Sequence, residues 1–169
     1  MDALECIMTR RSIRSYTDEA VSDADLETIL RAAMAAPSAG NEQPWHFVVV
    51  RERETMNRIM DVHPYSAMLD HAPVCIAVCA ELALEKYDGY WVQDTSAATQ
   101  NLLLAAHAAG LGGVWLGVHP VESREGGLKR ILALPDGVEC LGLVALGHPA
   151  AETGPADRYD ESRIHEGTW

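Results

Sequence analysis

The chain has 169 residues, 25 acidic and 13 basic side chains, a net charge of −12, and 48% hydrophobic against 22% charged content. That length suits one domain spanning 1–169, and that composition a packed core rather than disorder. The acidic balance opposes nucleic acid and anionic membrane, no apolar run is long enough to span a bilayer, and residues 1–8, with Asp2 and Glu5, do not read as a signal peptide.

Residues 1–8 fit a short helix with Leu4, Ile7 and Met8 apolar. Arg10-Arg11-Ser12-Ile13-Arg14 follows, three arginines in five residues of a chain whose only lysines are Lys86 and Lys129. If extended, Arg10, Ser12 and Arg14 share one face and Arg11 takes the other. Arginine forks match multi-oxygen anions, so the segment reads as an anchor for a small phosphorylated ligand. Read alone, it equally fits a solvated charge cluster.

Ser22 with Asp25 three residues on opens a helix continued by Leu26, Ile29, Leu30, Ala33 and Met34. It must stop before Pro37, and residues 36–44 form a loop of small and amide side chains. Trp45–Val50 reads as a strand, 54–62 as a helix, and 68–71 as a further helical turn. Residues 73–80 read as a strand apolar on both faces, hence central in its sheet. The longest helix spans 93–109, so rich in Ala and Leu that burial on nearly all sides is expected, with Gly110 as its terminator. Residues 113–118 and 141–146 give two more strands, with a helix over 125–132 between them. The polar stretch 159–169 reads as an arm whose terminal Trp169 docks on something, plausibly a partner subunit.

Cys6, Cys75, Cys79 and Cys140 show neither metal nor disulfide spacing, and fit small core residues in a reducing cytoplasm. The scattered histidines include no His-Glu-x-x-His, so no metal site is expected. Gly110-Leu111-Gly112-Gly113 follows a helix and precedes a strand, the reverse of a dinucleotide loop, and no P-loop lysine is present. Ser38 lacks the glycines of a nucleophile elbow. Asp94, near a helix start, reads as a cap more readily than as a general acid or base. An anion anchor without a catalytic set fits a protein whose cofactor carries the chemistry.

Five motifs in order resemble the FMN-dependent nitroreductase family along nearly the whole chain. They are Arg10 to Tyr16; Ala36-Pro37-Ser38-Ala39-Gly40-Asn41-Glu42-Gln43-Pro44-Trp45-His46-Phe47; Gln93-Asp94 with Asn101 to Ala106; Gly110 to Gly117; and Gly147-His148-Pro149 with Arg158 to His165. The resemblance implies an α+β fold, a mainly antiparallel sheet flanked by helices, in an intertwined homodimer that exchanges C-terminal arms and holds two FMN molecules at its interface. It assigns Arg10, Ser12 and Arg158 to the phosphate, with Arg11 beside them. Arg14 would face the N1–O2 edge of the isoalloxazine, where a cation stabilises the charge that reduction adds. Pro37, Ser38 and Asn41 would come from the other subunit, and backbone amides around Trp115, Leu116 and Gly117 would line the N5 side. One departure is Ala156, where some relatives carry a basic residue two positions before Arg158.

The resemblance further implies a ping-pong cycle, in which NADH or NADPH gives hydride to flavin N5 and a nitroaromatic or quinone then takes it. Alternatives are a specialised flavin enzyme of the same fold (dehalogenating or flavin-fragmenting), a flavin-binding sensor or store without turnover, and a structural dimer without ligand.

Overall fold

The structure is a computed structural model that describes residues 1–151, 153–154 and 156–169. Four strands, β1 (Trp45–Val50), β2 (Val74–Glu81), β3 (Gly112–Gly117) and β4 (Val138–Gly147), form one antiparallel sheet in the order β1-β2-β4-β3. Five helices accompany it: α1 (Ala3–Thr9), α2 (Asp23–Met34), α3 (Arg53–Val62), α4 (Trp91–Ala108) and α5 (Glu122–Ile131).

Side-chain alternation along the two central strands divides the interior into two cores. Cys75, Ala77 and Cys79 of β2, with Leu143 and Ala145 of β4, pack against Met56 and Ile59 of α3 and Leu128 of α5. Val74, Ile76 and Val78, with Val144 and Leu146, pack against Ile29 and Ala33 of α2 and Leu102, Leu103 and Ala106 of α4. Full burial of side chains such as Ile29, Ile59 and Leu102 contributes about 1.5–3 kcal/mol each. Cys75, Cys79 and Cys140 are small fillers of this interior, as the apolar run around Cys75 and Cys79 suggests, and Cys6 is buried on α1.

Local signals place the helices. Ser22 caps α2 by accepting from the Asp25 amide at 3.0 Å, and Asp2 caps α1 through the Glu5 amide at 2.9 Å. The helical turn expected over 68–71 is a 3-10 turn at Ala67–Asp70. No helix among the described residues is long and apolar enough to cross a membrane.

Two expectations need correction. Within one chain α4 is not enclosed on all sides: Ala97, Leu104 and Ala105 are half-buried and Ala108 is exposed, because α1 covers that flank only in part. Asp94 does not cap α4. It sits in the first turn of α4, 4% exposed, and accepts from the amide of Ala39 at 3.0 Å.

The apolar face of α1 points outward, with Leu4 and Met8 each more than 70% exposed, and the end of the arm is bare, with Trp169 99% exposed. Trp169 stays close to His165, ring centroids 4.3 Å apart, and among the described residues packs into neither core cluster.

Candidate functional site

The arginine segment leaves α1 and runs parallel to the start of β3, where Ser12 bridges Gly113 and the Ile13 amide donates to the Gly113 carbonyl at 3.1 Å. Gly112 permits this approach, since a Cβ there would stand 2.7 Å from Ile13 Cβ. Tyr16 pins the far end of the segment, its buried hydroxyl lying 2.7 Å from the Ile13 carbonyl and 3.1 Å from that of Ala145 on β4. Burial pushes the Tyr16 phenol up, with nearby Arg14 opposing the shift.

Arg10, Arg11 and Arg158 line one cleft of about 560 Å³ with Asp157 and Tyr159. Among the described residues none of the three, nor Arg14, has a carboxylate within 4.0 Å, although carboxylates outnumber cations nearly two to one in this chain. Burial, then the Arg158 and Arg11 charges, make the Arg10 guanidinium hold its proton less tightly than usual. A dianion between these groups would relieve that repulsion.

Arg11 has a second duty. Its guanidinium donates to the carbonyls of Met8 (2.9 Å), Arg10 (2.7 Å) and Gly154 (3.1 Å), fastening the end of α1 to the root of the arm. It also borders a neighbouring cleft of about 530 Å³ that contains His107 and Thr9. Thr9 Oγ1 donates to the Glu5 carbonyl and accepts from His107 Nε2 at 2.8 Å.

The strand β3 supplies a flat floor with an open edge. Because the Gly113 carbonyl faces the arginine segment, strand alternation turns the amides of Trp115 and Gly117 to that same outer edge, while Val114 and Leu116 pair with β4. The Leu116 side chain is core, whereas Trp115 lies 36% exposed over Gly142, where a Cβ would also stand 2.8 Å from the Leu116 carbonyl. The Gly117 carbonyl accepts from His63 Nε2 and from Arg124 Nη1, each at 2.9 Å. His63 is buried and its Nδ1 accepts from the Tyr65 amide at 3.3 Å. Sequence reasoning missed His63: a histidine at the end of a helix gives no local sign of a partner 54 residues away.

Pro37, Ser38 and Asn41 lie apart from this cleft. Their loop rests against the first turn of α4 through Ala39 and Asp94, while Thr9, directly before the arginine segment, bonds His107 in the last turn. Those two positions are thirteen residues apart on one helix, about 20 Å at its axial rise. The loop also holds Asn41 (φ 57°) and Gln43 (φ 51°) in the left-handed region, a strained backbone for such residues. One chain therefore gathers Arg10, Arg11, Ser12, Arg14, Arg158 and β3 into one region and keeps Pro37, Ser38 and Asn41 in another. Away from this cleft, Trp91 is buried against His119, and Tyr65 and Tyr90 are exposed.

The model of the nitroreductase family matches residues 7–63 and 59–148. A protein of Methanothermobacter thermautotrophicus, provisionally named NADH dehydrogenase/NAD(P)H nitroreductase, is 52% identical over 169 residues, covering 100% of this chain and 88% of that protein. A crystal structure from Bacteroides thetaiotaomicron with the same provisional name superimposes with a TM-score of 0.95 at 38% identity, covering 99% of this chain and 98% of that one. A provisionally named nitroreductase of Desulfovibrio desulfuricans, solved in complex with FMN, gives a TM-score of 0.86 at 34% identity over 100% and 99% of the two chains.

Proposed function

Because this chain belongs to the nitroreductase family, we propose that its 169 residues act as one FMN-binding domain of an NAD(P)H-dependent oxidoreductase that reduces small oxidants such as nitroaromatics or quinones. The observation that carries this reading is the cleft that Arg10, Arg11 and Arg158 share, in which, among the described residues, none of the three guanidiniums has a carboxylate within 4.0 Å although the protein is acidic. That donor set suits a phosphate monoester, and the open amide edge of β3 beside it suits the polar rim of a flat ring. FMN held there would supply the two-electron chemistry between NAD(P)H and the oxidant.

The chain's own residues bind, orient and shield. Arg10 and Arg158, with the Ser12 hydroxyl, hold the phosphate, and Arg11 adds charge while tying down the arm. Arg14 places a cation near the ring, where negative charge develops on reduction. The Trp115 and Gly117 amides face the ring edge, and the two donors on the Gly117 carbonyl keep that strand end fixed.

Pro37, Ser38 and Asn41 reach the site from a second copy. The 20 Å separation along α4 supports this arrangement, as do the outward apolar face of α1 and the undocked Trp169. A homodimer with exchanged arms covers all of these surfaces.

Purification tests the reading: a yellow protein that releases FMN on denaturation and consumes NADH or NADPH with menadione or a nitroaromatic acceptor fits it. A protein that keeps FMN without such turnover is a flavin store, and one that ignores added FMN removes the proposal.

A further inference from the structure

Glu42 and Asp94 present an unusual pairing beneath the 37–43 loop. Glu42 is 7% exposed and Asp94 4%. One oxygen of each is fully engaged: Glu42 Oε2 accepts from the amides of Lys86 (2.7 Å) and Tyr87 (3.3 Å), and Asp94 Oδ1 accepts from Ala39. The other two, Glu42 Oε1 and Asp94 Oδ2, are buried without a donor from any other described residue. Yet these side chains are within hydrogen-bonding reach of one another.

Two buried carboxylates in contact cannot both be ionised, and an acceptor facing an acceptor makes no bond. One proton between them resolves both difficulties. Its owner follows from the partners. The Lys86 amide, aided by Asp94, the Tyr87 amide and the Lys86 charge, holds the Glu42 carboxyl below its usual range. Burial pushes Asp94 up, and neighbouring Glu42 and Glu85 push it further against the pull of the Ala39 amide. Lys86, whose Nζ donates to the Gly40 carbonyl at 2.8 Å, is the cation packed on this loop, and Glu85, which accepts from the Trp91 amide, is the remaining acid.

We propose that Asp94 is a positioning residue that shares one proton with Glu42, and that this one proton locks residues 38–43, Asn41 among them, in the shape that meets the flavin. The flavin half rests on the function proposed above; the shared proton is a property of the chain alone. The raised Asp94 contributes below its ordinary range and is lost as pH rises through its shifted value. The lowered Glu42 contributes above its ordinary range and is lost as pH falls through its own. The lock therefore holds between the two and opens on the alkaline side when Asp94 ionises.

Amide substitutions test this directly. Asp94→Asn keeps an acceptor for Ala39 and supplies a permanent donor to Glu42. Glu42→Gln keeps an acceptor for Lys86 and Tyr87 and supplies a donor to Asp94. Each single variant should hold FMN within about twofold of the parent below the pH at which Asp94 ionises, and Asp94→Asn should keep it above that pH, where the parent weakens by about tenfold or more. The double variant sets two NH2 groups face to face, or strands a backbone amide. It should lose about tenfold in FMN affinity and speed hydrogen exchange of the Ala39 amide.

Infrared spectroscopy of the flavin-free parent over a pH series should show a buried carboxylic acid C=O band that persists above the ordinary aspartate range and that Asp94→Asn abolishes. Absence of that band, or a double variant equal to the parent in FMN affinity and Ala39 exchange, overturns the proposal. A parent that binds no FMN overturns the functional reading and the loop's role toward flavin, while the band and the Ala39 exchange still decide the shared proton.

Discussion

His63 Nε2 lies 2.9 Å from the carbonyl oxygen of Gly117, joining the end of α3 to the last residue of the edge strand β3. His63→Ala removes this bond and the partner of the Tyr65 amide and leaves a void in a fully packed position. The expected loss is about 2–3 kcal/mol, which in a chain of this size lowers the melting temperature by about 5–10 °C. Calorimetry on the flavin-free protein measures it, and a fall under about 2 °C would show that Arg124 alone suffices to hold Gly117.

Arg10→Ala should weaken FMN binding roughly 10–100-fold, the worth of one charge-assisted contact to phosphate. Fluorescence titration of flavin-free protein reads this out. Unchanged retention would move the phosphate away from the cleft.

Arg14→Ala addresses a different step. Flavin reduction by NAD(P)H in stopped flow should slow by about tenfold or more, with FMN affinity altered by less than about threefold. Equal reduction rates in variant and parent would remove the role assigned to Arg14.

Gly112→Ala tests the seating of the arginine segment on β3. The added methyl meets Ile13, whose displacement carries Arg10 to Arg14 away from the strand. Stability in urea should drop by about 1–3 kcal/mol, and FMN retention should drop with it. Full retention in a destabilised variant would uncouple the segment from the cofactor.

His107 reports on the same cleft from outside it. Burial, then the Arg10 and Arg11 charges, hold its imidazole below the ordinary value of 6.5. Its contribution to stability is therefore present above that ordinary value and lost as pH falls through the depressed one. An anion seated on Arg10 and Arg11 cancels their share and raises the His107 midpoint. NMR titration with and without FMN should show this upward shift, and identical midpoints would place the anion elsewhere.

Much of the fold was legible from residues alone. The Trp45–Val50 strand appears with those bounds because Pro44 precedes it and a β-branched run fills it. The central strand, read over 73–80, lies at Val74–Glu81, its unbroken apolar pattern reflecting two buried faces. Helix α4 begins at Trp91, two residues before the expected start, because its first position follows Tyr90, which offers no capping side chain. The expected 125–132 helix begins at Glu122 instead, since Gly126 and Gly127 blur its periodicity.

The site divides in the same way. Three arginines in Arg10–Arg14 of a cation-poor chain suggest an anchor for an anion, and Arg10 and Arg11 do line one cleft with Arg158, which the family resemblance adds. The Glu42–Asp94 contact and the His63–Gly117 bond were invisible, because each joins residues more than fifty positions apart and nothing in the local pattern marks either member.

Arg11 is a hinge-pin common to two structures, gripping the Gly154 carbonyl while standing in the same cleft as Arg10 and Arg158. Whatever immobilises that guanidinium also fixes where the final residues leave the body of the molecule. In the homodimer proposed above, cofactor loading and subunit pairing would be thermodynamically linked, each lowering the ordering entropy the other must overcome. Flavin-depleted protein should accordingly separate into single chains at concentrations where the loaded form stays paired.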